Sequence, residues 1–142
     1  MKFDYQKFPG AANPGSPWII RPIIRVRLAH QGQSVMTDAL IDSGADVSLF
    51  HASLARKLGL DPESGVCKNF YGISGEPVPG YFHEITLQIV GMNTQVRLLV
   101  AFTEAEGVSA LLGQADFFEA FRITFERRKQ RMEIDSFVFF SD

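Results

Sequence analysis

Ala39-Leu40-Ile41-Asp42-Ser43-Gly44-Ala45-Asp46 is an apolar segment that runs directly into an acid, a hydroxyl and a glycine. An apolar strand of this kind drives into a core, so Asp42 is expected at its end in a desolvated place. Desolvation disfavours the charged form of a carboxyl and makes it available for proton transfer. Ser43 adds a short hydroxyl that can bond locally or across an interface. Gly44 lets another backbone or a ligand come close. The plainer reading is a surface turn, since Asp, Ser and Gly are common turn residues. The apolar lead is what separates the two readings.

Upstream, Ile24, Val26 and Leu28 alternate with Arg25, Arg27 and Ala29, the period-two pattern of a strand with one wet face. Gln31 to Ser34 supplies a turn, and Val35 to Ile41 returns, which makes a hairpin. Downstream, Val47 to Phe50 is a short apolar run. His51 to Leu58 reads as a short helix, with Leu54 and Leu58 on one face and Gly59 as its cap. Phe70 to Gly80 is rich in Gly and Pro and reads as a loop or hairpin tip. Tyr81 to Val90 and Gln95 to Phe102 read as strands. Ala110-Leu111-Leu112-Gly113 leads into a second short helix, Gln114 to Ala120. Ile123 to Glu126 and Met132 to Phe140 are strand-like, joined by the charged run Glu126 to Arg131 as a solvated tip. Many short strands with one or two short helices predict a mostly β domain, a small closed or sandwich-like barrel. Residues 1–17 read as a Pro- and Gly-containing N-terminal arm, and 18–142 as a single domain.

The 142 residues are 46% hydrophobic and 21% charged, so the chain can bury a core. A net charge of −2 argues against nucleic-acid binding, which rests on a basic surface. No apolar run approaches the roughly 20 residues of a membrane helix. With no apolar leader at the N-terminus, the expectation is a cytoplasmic protein without a membrane partner. Cys67 is the only cysteine, so an intrachain disulfide and a cysteine zinc site are both excluded. It reads as a small buried or loop residue. His30, His51 and His83 show no metal-ligand spacing, and no cofactor motif is present.

The order of these features resembles the retropepsins, single-domain aspartic proteases of retroviral type. It runs from hairpin and Asp42-Ser43-Gly44-Ala45-Asp46, through short helix and glycine-rich hairpin, to Leu111-Leu112-Gly113 and a second short helix. The resemblance spans about Ile23 to Phe125. It implies a closed acid-protease barrel, homodimeric, with Asp42 catalytic and Ser43 bonding across the dimer. It further implies that Gly44, Ala45 and Asp46 lie along the substrate and that Gly72, Ile73, Ser74 and Gly75 belong to a flap. Leu111, Leu112 and Gly113 would pack behind the catalytic loop. Two departures stand out. Many retroviral members carry arginine after the Leu-Leu-Gly glycine, pairing with the acid at Asp46. Here the residue is Gln114, leaving the pair absent or supplied by Arg21 or Arg25. Pro77 and Pro79 would stiffen the flap.

Only one Asp-(Ser/Thr)-Gly occurs in the chain. The chemistry needs two carboxyls sharing one proton, one acting as base on a water and the other polarising the scissile carbonyl. A symmetric second copy would supply the missing half. The expected function is therefore an aspartic endopeptidase acting on a peptide or protein substrate. One alternative is a weakly active or inactive retropepsin-fold module for dimerisation or peptide binding. The other is an unrelated ligand-binding β barrel.

Overall fold

In the computed structural model, residues 1–71, 75–108 and 110–137 are described. The architecture is mostly β with two short α-helices. The alternating stretch forms β4 (Ile23–His30), and its return forms β5 (Gln33–Ile41), paired antiparallel from Ile23↔Leu40 to His30↔Gln33. Ile24, Val26 and Leu28 are all at most 3% exposed, as the period-two pattern requires. The long strands β8 (Pro77–Ile89) and β9 (Gln95–Thr103) form the next hairpin. They contribute Ile85, Leu87, Ile89, Val100 and Phe102 to the same core.

Three short strands complete this sheet: β6 (Leu49–His51), β7 (Val66–Tyr71) and β10 (Ala110–Leu112). The strand order is β4-β5-β10-β6-β9-β8-β7, and β4 pairs additionally with β8. β11 (Phe121–Glu126) and β12 (Arg131–Ser136) form a second sheet with β1 (Lys2–Asp4), which pairs antiparallel with β12. The charged run is the tip of the β11–β12 hairpin, as expected, with Glu126 opposite Arg131. β2 (Gln6–Pro9) and β3 (Trp18–Arg21) pair only with each other, so part of the N-terminal segment is a hairpin rather than an irregular arm.

Helix α1 (Ala52–Lys57) is capped at its start by the His51 ring, which accepts from the Ser53 amide. At its end Gly59 (φ +77°) donates to the Arg56 carbonyl and Leu60 donates to the Ala55 carbonyl. That is a Schellman cap, whose left-handed residue favours glycine. Helix α2 (Phe117–Ala120) starts three residues later than the sequence suggests, because Asp116 caps it.

The Phe70–Gly80 stretch is not one loop. β7 runs to Tyr71 and β8 starts at Pro77, leaving a connection of 72–76. Both prolines lie where β8 pairs only with β7, an edge strand, and proline is tolerated at such positions. Cys67 is exposed on β7 rather than buried or in a loop. No helix among the described residues is long and apolar enough to cross a membrane.

Candidate active site

β5 is an interior strand, flanked by β4 on one side and by β10, parallel, on the other. The parallel register puts Ile41 opposite Leu112, with Ile41 3% and Leu112 0% exposed. Asp42 follows at once. Its amide donates to the Leu112 carbonyl at 2.9 Å, so the ladder extends to the acid itself. Its Oδ1 accepts from the Gly44 amide at 2.9 Å, and its carbonyl accepts from the Ala45 amide at 3.1 Å. These bonds form a tight Asx-type turn. The Asp42 backbone is thus held on both sides, and its carboxyl is oriented by the Gly44 amide.

In the single chain Asp42 is half-buried, while Ser43, Gly44 and Asp46 are exposed and Ala45 is half-buried. The expectation of a desolvated carboxyl is not met within one protomer. The strand ends at the molecular surface, and among the described residues the turn stays largely open.

Leu111, Leu112 and Gly113 lie directly beside this turn, and the contact is intimate. A Cβ at Gly113 would lie 2.4 Å from the Val47 carbonyl oxygen and 2.8 Å from that of Ala45. Only glycine allows the two backbones this approach. Beyond Gly113, the Gln114 amide donates to the Ala45 carbonyl at 2.9 Å and the Ala115 amide donates to the Asp46 carbonyl at 2.8 Å. The Gln114 side chain donates through Nε2 to the Ser43 carbonyl at 2.8 Å. Gln114 therefore braces the Asp42 turn with a neutral amide and makes no ion pair with Asp46. Arg25 does not supply that pair, because its guanidinium engages Asp38 at 3.4 Å. Arg21 makes no ion pair among the described residues.

Two further residues were not singled out from the sequence. Ser48, fully buried, and Asp116, 8% exposed, are joined by two hydrogen bonds. Burial pushes the Asp116 carboxyl up from its ordinary value, opposed by hydrogen bonds from Ser48 and Phe117. Asp116 has no Asp-Ser-Gly context in the sequence. Its place just before Phe117-Phe118 marks it as a helix cap, and that was the available signal.

A groove of about 580 Å³ opens beside the turn. Gly44, Ala45, Asp46 and Val47 form its floor, Leu49, Val108 and Leu111 one wall, and Lys68 to Tyr71 with Val78 the other. Tyr71, one of the residues lining it, is 69% exposed. The second wall is the β7–β8 hairpin expected to act as a flap. Of the expected flap residues, Gly75 is described and exposed, with φ +77°. Gly72, Ile73 and Ser74 lie outside the described residues. Another cavity, of about 510 Å³, lies between β9 and α2 and includes Asp116. Both oxygens of that acid are already engaged in hydrogen bonds, whereas the first groove is lined by Gly44 to Val47, the residues that follow Asp42. No cluster of metal-ligating side chains occurs among the described residues.

No curated protein matches the chain. Among solved structures, it is similar to the EIAV protease in complex with the inhibitor HBY-793. The two are 21% identical, the match covers 73% of this chain and 88% of that one, and the TM-score is 0.46. That likeness is too distant to carry an argument alone. The family evidence is stronger: residues 25–115, well over half of the chain, match the family described as aspartyl protease. The match takes in both the Asp42 turn and the Leu111-Leu112-Gly113 stretch braced against it, and the chain belongs to the aspartyl protease family.

Proposed function

We propose that the chain is an aspartic endopeptidase whose active site is completed by a second copy of itself. The observation that carries this reading is the Asp42 turn: a carboxyl that accepts from the Gly44 amide, on a residue whose own amide donates to the Leu112 carbonyl, with a groove lined by Gly44 to Val47 beside it. One such turn per chain is half of an acid pair. In a twofold assembly the Asp42 carboxyls of the two copies would share a proton, since two like charges so close cannot both ionise cheaply. One would take a proton from a water as that water attacks the scissile carbonyl carbon. The other would hydrogen-bond the carbonyl oxygen and protonate the developing oxyanion. Breakdown of the tetrahedral species releases the amine once its nitrogen is protonated.

In this reading Ser43 bonds to its counterpart across the axis, and Gly44, Ala45 and Asp46 lie along the substrate. The β7–β8 hairpin, residues 72–75 included, closes over it. The β4–β8 pairing supports a closed barrel. Residues 1–17 are read as an arm on a domain of 18–142, an arm whose β1 pairs with β12 of that domain. The free, exposed thiol of Cys67 fits a reducing cytoplasmic setting.

Dilution tests the two-copy site. Below the dimer dissociation constant, the cleavage rate per chain on casein falls about tenfold for each tenfold dilution, by mass action. A rate per chain that stays constant in a protein shown to be monomeric would defeat the proposal. A transition-state-mimicking aspartic protease inhibitor is expected to raise the melting temperature. At 100 times its dissociation constant the stabilisation is about 2.7 kcal/mol. Absence of any shift would favour a non-catalytic module with the same fold. Gln114→Ala removes one brace, worth about 0.5–1.5 kcal/mol, and is expected to lower kcat about 2- to 10-fold. An unchanged kcat would show the brace to be dispensable.

A further inference from the structure

We infer that Asp116 is a positioning residue for the catalytic turn, acting through Ser48; this rests on the reading of Asp42 as the catalytic acid. The geometry is a buried relay. Asp116 Oδ2 accepts from the Ser48 amide at 2.8 Å. Its Oδ1 accepts from the Ser48 hydroxyl and from the Phe117 amide. The Ser48 Oγ accepts in turn from the Gly113 amide at 3.0 Å. One carboxylate therefore fastens the end of the segment that begins at Asp42 to the turn that contains Gly113.

Three donors converge on the two oxygens of Asp116, and no cation pairs with it among the described residues. The charge that acts on it is that of Glu119, of the same sign. A buried acid without a cation is costly, and a well-packed apolar or amide side chain would serve packing alone better. What the acid supplies is acceptor capacity aimed at Ser48. The Ala45 and Asp46 carbonyls are already tied to the amides of Gln114 and Ala115. The relay adds a further attachment, at residue 48, whose acceptors are all side-chain oxygens. Between these points lies Val47, whose carbonyl abuts Gly113. Slack at residue 48 would be transmitted along this short segment to the Asp42 turn.

The test compares Ser48→Ala, Ser48→Thr and Asp116→Asn with the wild type. Kinetics are read on a fluorogenic peptide copied from a casein site that the wild type cuts. Amide hydrogen exchange is followed over residues 42–48. Asp116→Asn must turn an NH₂ towards a donor, and Ser48→Ala removes the hydroxyl while keeping the Ser48 amide bond. Both are expected to lower kcat about tenfold or more with KM within about twofold, because misplacement weakens the transition state more than binding. Exchange over 42–48 speeds up while the β8–β9 amides keep wild-type rates. Ser48→Thr, which keeps the hydroxyl, recovers most of the activity. The inference is overturned if Ser48→Ala matches the wild type in kcat and exchange, or if Ser48→Thr is no better than Ser48→Ala. A wild type that cleaves no casein would instead sink the catalytic reading of Asp42, and the inference with it.

Discussion

Asp42→Asn is expected to lower the rate of peptide-bond cleavage by about 10²- to 10⁴-fold, the range that a positioned acid–base group contributes. The turn should survive the change. An asparagine carbonyl oxygen can still accept from the Gly44 amide, and the backbone bond from residue 42 to the Leu112 carbonyl does not involve the side chain. In the proposed two-copy site, what is lost is the proton exchange between two carboxyls that lets one act as base while its twin acts as acid. Circular dichroism and the melting temperature should therefore stay near wild type while turnover disappears. Retained cleavage would remove Asp42 from the chemistry.

The second large effect is expected at Gly113→Ala. The added methyl would lie 2.4 Å from the Val47 carbonyl oxygen and 2.5 Å from its carbonyl carbon. Both atoms belong to backbone, so relief requires the segment behind Asp42 to move away from β10. Overpacking of this kind costs about 1–3 kcal/mol. For a chain near this size, each kcal/mol lowers the melting temperature by roughly 2–4 °C, compared at fixed protein concentration. The same movement pulls on the Gln114 and Ala115 amide bonds and on the Ser48 hydroxyl, so activity should fall further than stability. A Gly113→Ala protein with wild-type melting temperature and turnover would show that the close approach is not needed.

How much of this could be read from residues alone depended on the range of the interaction. The β4–β5 hairpin was legible because its signal is local: Ile24, Val26 and Leu28 alternate, and the turn lies between two complementary runs. Helix α1 was legible through Leu54, Leu58 and Gly59 for the same reason. β7 was not, because every residue of Val66–Tyr71 except Phe70 is exposed, so the strand shows no apolar alternation. Its partner stretch carries Pro77 and Pro79, which read as loop until the edge position is known. β1 pairs with a strand some 130 residues away, and no local pattern announces it.

The site divides in the same way. Asp42-Ser43-Gly44 and Leu111-Leu112-Gly113 were recognisable as separate strings, and β5–β10 pairing brings them together. The roles of Gln114, Ser48 and Asp116 come from contacts spanning 65 to 71 residues. Glutamine and serine are too common for their identity to signal a brace. The missing arginine was visible, but its replacement by an amide reaching the Ser43 carbonyl was not.

The most direct test is a crystal structure of the assembled protein, measured at one place: the distance between the Asp42 carboxyls of neighbouring copies. Two half-sites that make one enzyme require these oxygens to face each other across a twofold axis at about 3 Å, close enough to share a proton. Asp42 carboxyls standing apart, each open to solvent in every assembly the protein forms, would contradict the account.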